Sequence, residues 1–161
     1  DGLPSRIELM MCLPPEWNPE SKESQENWPV ELLRYLARFP IIESTWLGYG
    51  HSIQNGTPYA DNTLLAGCVL LGVPEGAAVC KLSDGSWVGF YQVIPLTENE
   101  LEYKIQHSTD EMLEYMEDVD HVVYFQRPDT NFESHCRIRR EAKWNRHTAP
   151  QFSGAAEKRL I

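Results

Sequence analysis

Apolar positions along the chain fall into alternating, helical and continuous runs, and each run predicts an element. Ile7 to Leu13, IELMMCL, reads as a strand with Ile7, Leu9, Met11 and Leu13 on one side. Glu8, Met10 and Cys12 take the other side, so both faces are expected to be largely buried. Pro14-Pro15 ends the strand, and residues 18–27 form a polar loop rich in Glu and Ser. A helix follows. Leu32, Leu33, Leu36 and Phe39 share one helical face, Pro29 suits the first helical position, and Pro40 stops the helix at Phe39. Leu64 to Val73, LLAGCVLLGV, is a nearly continuous apolar run and reads as a long strand. Val79–Leu82 and Trp87–Ile94 flank Ser83-Asp84-Gly85-Ser86, which predicts a hairpin.

Thr97 and Glu100 form a capping box that opens a short helix with Leu101 and Ile105 inward. Ser108 and Glu111 form a second box, before a helix with Met112, Leu113 and Met116 inward. His121 to Phe125 is the last predicted strand. The periodicity then fades. Irregularly interleaved strands and helices predict an α+β fold: a mixed central sheet with helices packed mainly on one side. Residues 1–129 form the domain, and 130–161 a basic C-terminal segment that is partly ordered at best.

Composition adds constraints. The 161 residues are 42% hydrophobic and 11% aromatic, enough for one domain with a core. No run approaches the length of a membrane span. Asp1 stands where a Met would begin a gene product, so further residues are expected before it. Residues 1–125 hold 6 Lys+Arg against 20 Asp+Glu, and residues 126–161 hold 8 against 4. An acidic body disfavours nucleic acid, whose phosphates need a basic face, and favours basic partners. Cys12, Cys68, Cys80 and Cys136 are far apart, with no C-x-x-C pair. They are expected to be free thiols of a reducing, cytoplasmic compartment, the first three buried in strands.

The densest group of chemistry-bearing residues is Trp46, Gly48, Tyr49, Gly50, His51 and Ser52. Gly48 and Gly50 alternate with larger residues, which predicts a strand whose glycine side lies against another backbone. Asn55-Gly56 predicts a turn after it. Gly50-His51-Ser52 touches on the nucleophile elbow of hydrolases. That motif needs a small residue two places after the serine, and Gln54 stands there. A local hydrogen-bonding role for His51 and Ser52 is the simpler reading. A small hydrolase using them is the alternative function. Asp118, Asp120 and His121 would make a hard-ion cluster, but a solvated helix end explains them as well. No spacing of His, Cys or carboxylates organises a metal site, and no cofactor is expected.

Four segments in order resemble the suppressor of fused family, of the bacterial type. They are Glu8–Pro14 with Trp28-Pro29; Leu36–Pro40 with Thr45–His51; Phe90–Leu96 with Glu100-Leu101; and Arg127-Pro128. They span residues 7–129. Members of that family usually carry further residues before the first of these segments. The resemblance implies an α+β fold, no enzymatic activity, and protein binding. Animal relatives sequester transcription factors by adding a partner strand in a cleft between two lobes. Bacterial relatives are proposed to be immunity proteins that neutralise toxins. Animal members place an aromatic residue after Ala-Arg, matched here by Phe39, and an acidic residue before the histidine, where this chain has Gly50. A second lobe is not evident. The resemblance and the charge together point to a protein partner, an extended basic segment or a toxin, held at Phe39, Trp46, Tyr49 and His51. A regulatory module of a longer chain is a further alternative.

Overall fold

The computed structural model describes residues 6–73, 79–116, 123, 127–130 and 132. The sheet is organised around its longest strand, β5 (Trp87–Thr97). One edge of β5 carries the parallel strand β1 (Arg6–Met10). Its other edge carries two antiparallel strands in succession. First comes β4 (Val79–Lys81), opposite Trp87–Gly89; then β3 (Leu65–Gly72), opposite Tyr91–Thr97. The short strand β2 (Ser52–Gln54) pairs antiparallel with β3 and ends the order β1-β5-β3-β2. This is the mixed sheet of an α+β domain.

Among the described residues, three helices cover it. The helix α1 (Ser24–Ile42) lies over one face, where Trp28, Leu32, Leu36 and Phe39 meet Cys68, Leu70 and Val93. The helices α2 (Glu98–Gln106) and α3 (Thr109–Tyr115) lie over the other, where Leu101, Met112 and Met116 meet Val69, Leu71, Ile94 and Leu96. The longest helix thus takes one side and two short ones the opposite side. Alternate residues of β3 serve the two layers, so every residue from Leu65 to Leu71 is buried. That double burial is why the sequence there is an unbroken apolar run. Gly67 faces α2: a Cβ there would stand 2.8 Å from Leu101 Cδ2 and 3.0 Å from the Ile53 carbonyl oxygen. This is the strand glycine that admits a neighbouring backbone.

Several expectations need correction. The first strand ends at Met10 rather than Leu13, and only one of its faces is covered. Ile7 and Leu9 are half-buried against the α1 layer, while Arg6, Glu8 and Met10 are exposed. As the edge strand, β1 lies beyond the layer formed by α2 and α3. The helix α1 begins at Ser24, not Pro29, and runs past Pro40 to Ile42. Pro29 deprives the Gln25 carbonyl of its helical donor. Asn62 Nδ2 approaches that carbonyl at 3.4 Å instead. Ile105 is 43% exposed; Glu100, Leu101 and Lys104 are the buried residues of α2. Of the cysteines, Cys68 is buried, Cys12 half-buried and Cys80 exposed on the hairpin arm. Burial pushes the Cys68 thiol up to about 12, against a hydrogen bond from Tyr59 that works the other way.

Other local signals behave as read. Glu100 N donates to Thr97 Oγ1 at 3.3 Å and Thr97 N to Glu100 Oε2 at 2.9 Å, a complete capping box. The second box is half made: Glu111 N donates to Ser108 Oγ at 3.0 Å, without the return bond that completes the first. Gly85 sits at φ +83° in the hairpin turn. Pro95 lies in β5 beyond Gln92, where pairing with β1 stops, and its carbonyl accepts from Arg127 Nη2 at 3.0 Å. The predicted last strand, His121–Phe125, lies outside the described residues except for Val123, whose N–H donates to Cys12 O at 2.8 Å. Asp118, Asp120, His121, Cys136 and nearly all of the basic C-terminal segment also lie outside them.

Candidate functional site

The segment before β2 is a turn that feeds a β-bulge, not a regular strand. His51 N donates to Gly48 O at 3.1 Å and closes the turn. Gly50 N donates to Leu70 O at 2.8 Å, and Leu70 N to His51 O at 2.9 Å. Two residues therefore stand opposite one, with the first a glycine at φ +75°. That is the glycine-type bulge, which needs the left-handed region at its first position. A Cβ on Gly50 would also press Thr109 Oγ1 at 3.3 Å. Gly48 has a different neighbour from the backbone that the sequence suggests. A Cβ there would run into the Trp46 indole, which is 49% exposed and has room to move. Gly50→Ala is accordingly expected to cost about 1–2 kcal/mol, from the left-handed backbone alone. Gly48→Ala should cost less. Urea midpoints compare the two, and a Gly50→Ala chain as stable as wild type would dismiss the bulge as the reason for the glycine.

The bulge gathers the aromatic residues. The Trp46 and His51 rings lie 4.3 Å apart, tilted by 57°. His51 is only 7% exposed and lies beneath the indole. Tyr49, 53% exposed, points its hydroxyl at Asp110 Oδ1, 3.1 Å away on the first turn of α3. Trp46, Tyr49 and His51 thus come together between the β2 edge and the start of α3. Phe39 does not join them at the surface: it is buried under α1, edge-on to Tyr35 at 5.7 Å. Asp110, Thr109 and Lys104 belong to the surroundings of the site and were not legible as such. Asp110 is 61 residues from Tyr49, and its local signal is only that of a helix start.

Burial holds the His51 pKa below the ordinary histidine value. The Trp46 carbonyl opposes this, and the nearby Lys104 ammonium adds to it. The unfolded chain therefore takes up a proton near pH 6.5 while the folded chain still resists. Stability from this residue is complete above pH 6.5 and is lost as pH falls below it. His51→Gln should flatten the decline in urea midpoint between pH 7.5 and pH 5.5, at about one titrating group's worth of slope. An identical decline in both chains would remove His51 as its source.

Ser52 lies inside β2 opposite Val69, buried, and β2 leads into a turn in which Gly56 takes φ +81°. The strand-to-helix elbow that exposes a nucleophilic serine is not built here. The outer side of β2 carries no strand among the described residues; Ser52 and Ile53 are each 8% exposed there, and Gln54 is exposed. No group of three or more His, Cys, Asp or Glu among those residues is arranged to hold a metal ion. No described helix is long and apolar enough to cross a membrane.

Comparison with known proteins supplies the context. The family model described as suppressor of fused protein matches residues 2–128. The fold is similar to that of Drosophila suppressor of fused, with a TM-score of 0.60 at 18% identity over 80% of this chain and 30% of that one. It is similar to a chain of the Sufu–Fu complex, with a TM-score of 0.58 at 19% identity over 85% of this chain and 57% of that one. In sequence, 99 residues are 25% identical to an uncharacterised protein, UU111, of Ureaplasma parvum serovar 3. That match covers 61% of this chain and 48% of the relative, so the chain spans about half of that protein's length.

Proposed function

Because the chain belongs to the suppressor of fused family, we propose that it is a non-enzymatic protein-binding module. It takes an extended, basic partner segment along the outer side of β2, where Gln54 is exposed. The observation that carries this reading is the pairing of that edge with two half-exposed aromatic side chains, Trp46 and Tyr49, beside Asp110. Strand addition uses backbone hydrogen bonds for affinity and alternate side chains for specificity. The aromatic rings supply large contact area, and the carboxylate selects a cation. A family member has been solved as a Sufu–Fu complex, which supports a protein as the class of partner. The net charge of −10 supports a basic one, because complementary charge speeds encounter. A basic toxin fits that description, and on this reading the chain is its immunity protein.

The test uses a synthetic peptide of alternating arginine and valine as the probe. Its affinity should fall as salt rises. Trp46→Ala or Tyr49→Ala should weaken it by about 2 kcal/mol, as truncation of an interface aromatic does. Both variants should keep the wild-type urea midpoint to within about 0.5 kcal/mol, because both side chains are half exposed. Binding that ignores salt and survives both truncations would place the partner elsewhere. Capture of the natural partner from the host, followed by the same titrations, extends the test to the toxin.

A further inference from the structure

We infer that Asn55 is a modification site: in the folded chain its side-chain amide is converted, without an enzyme, into a carboxylate through a cyclic imide closed by the Gly56 nitrogen. The Gly56 N–H gives its proton to a solvent base, and the nitrogen attacks Asn55 Cγ. A bond from that nitrogen to Cγ forms, the bond from Cγ to Nδ2 breaks, and ammonia leaves after taking a proton from solvent. Water then adds to either carbonyl of the imide. Opening at Cγ gives aspartate. Opening at the main-chain carbon gives isoaspartate, in which the chain runs through the side-chain carboxyl. In both cases one amide and one water become one carboxylate and one ammonium.

The first support is the state of the attacking nitrogen. Asn55 N donates to the Ala66 carbonyl at 2.8 Å, but the Gly56 N–H, one residue on, has no acceptor among the described residues. Asn55, Gly56 and Thr57 are all exposed. Chain neighbours aside, no heavy atom lies within 4 Å of the place that a Cβ would take on Gly56. Base and water therefore reach the nitrogen, and the missing Cβ removes the obstacle that another residue would put beside it.

The second support is the side chain. Asn55 Nδ2 donates to the Thr57 carbonyl at 2.8 Å. The ring closed by that bond contains the Gly56 nitrogen, so Cγ is bent forward over the peptide that attacks it.

The other described amides lack this arrangement. Asn18 precedes Pro19, which has no N–H to lose. Asn27 precedes Trp28, the fifth residue of α1, whose N–H belongs to the helical ladder. Thr63 N, after Asn62, donates to the Ala60 carbonyl at 3.3 Å, and Glu100 N, after Asn99, donates to Thr97 Oγ1. Asp84-Gly85 is the closest match in backbone, with Gly85 at φ +83° and equally open surroundings. There the Gly85 nitrogen is engaged, donating to the Leu82 carbonyl at 3.0 Å. The Ser86 hydroxyl and N–H hold the Asp84 carboxyl below the ordinary aspartate range, and an ionised carboxylate resists attack.

The experiment ages the full chain in mildly alkaline buffer, with a parallel sample unfolded in urea. Digestion and fragmentation mass spectrometry locate the products. Asn55 should convert before any other asparagine, giving both aspartate and isoaspartate, while Asp84 stays unchanged. An exposed turn opens at little cost, so the native chain should convert within about threefold of the rate in urea. Asn55→Gln should lose the product, because its ring would be larger and closes more slowly. A slower native rate than that, another asparagine converting first, or Asp84 isomerising as fast would overturn the inference. Either product carries a carboxylate one residue beyond Gln54, next to the strand proposed to take a basic segment. Resting on that reading, Asn55→Asp should bind the arginine–valine peptide about twofold to fivefold more tightly at low salt, as one added surface charge gives. Equal affinity would take β2 out of the path of the peptide and count against the proposed function, with the conversion itself decided by the mass measurement.

Discussion

Glu100→Ala is expected to destabilise the fold by roughly 3–5 kcal/mol, the cost of breaking a buried ion pair by removing one partner. The Glu100 side chain is fully buried, and four donors converge on its carboxylate. Arg127 approaches with both Nη atoms, Thr130 Oγ1 donates at 2.6 Å, and Thr97 N completes the cap of α2. Removing it would leave the Arg127 guanidinium, only 22% exposed, facing a cavity. It would also free Thr97 N and detach Thr130, and with them the segment that carries Phe132. The double variant Glu100→Met with Arg127→Leu separates charge from shape. Replacing a buried pair by apolar groups of similar size is often close to neutral, so the double variant should be more stable than Glu100→Ala alone. Urea denaturation of the three chains measures this. A single variant within about 0.5 kcal/mol of wild type would mean that the clamp does not help to hold the fold.

Trp28→Ala is expected to cost about 3–5 kcal/mol, as other buried aromatic truncations do. Trp28 is 4% exposed and stands where three segments meet. Its ring stacks on Tyr59 at 5.0 Å and 4°, and receives Trp17 edge-on at 6.0 Å. Trp17 is itself fixed by a 2.8 Å bond from Nε1 to the Glu26 carbonyl. Losing the indole would take away the platform that holds both flanking loops to α1. Trp28→Phe should recover more than half of the loss, since a smaller ring still stacks. The near-ultraviolet circular dichroism of Trp28→Ala should weaken along with the denaturation midpoint. A midpoint close to wild type would show that the two loops are held by other contacts.

How far the chain could be read before its structure depended on the range of each signal. The strand from Leu65, the hairpin at Asp84-Gly85 and the Thr97–Glu100 box were legible because each is written within a dozen residues. The inner face of α1 was legible for the same reason. Its ends were not, because the rule for proline is local while its compensation is distant. Asn62 Nδ2, 37 residues from Gln25, is the donor that comes to within 3.4 Å of the carbonyl left by Pro29. The site shows the same division. Trp46, Tyr49 and His51 stood out as one group. That Gly50 serves a bulge, and not a strand, follows from Leu70 standing opposite both Gly50 and His51. Phe39 was nominated by resemblance, and the position places its ring in the core. The two faces of β1 looked alike in sequence because Met10 and Cys12 are apolar in either setting.

The divided companion of β5 has a practical consequence. Along one edge β5 is accompanied by β4 as far as Gly89 and by β3 from Tyr91 onward, and each strand holds its own register independently. The stretch of sequence between Gly72 and Val79 therefore sets neither register. Changes in its length should leave both pairings in place, since closing a longer loop costs only about 0.6 kcal/mol per doubling. A reporter peptide could be spliced in between these two strands with both described pairings kept.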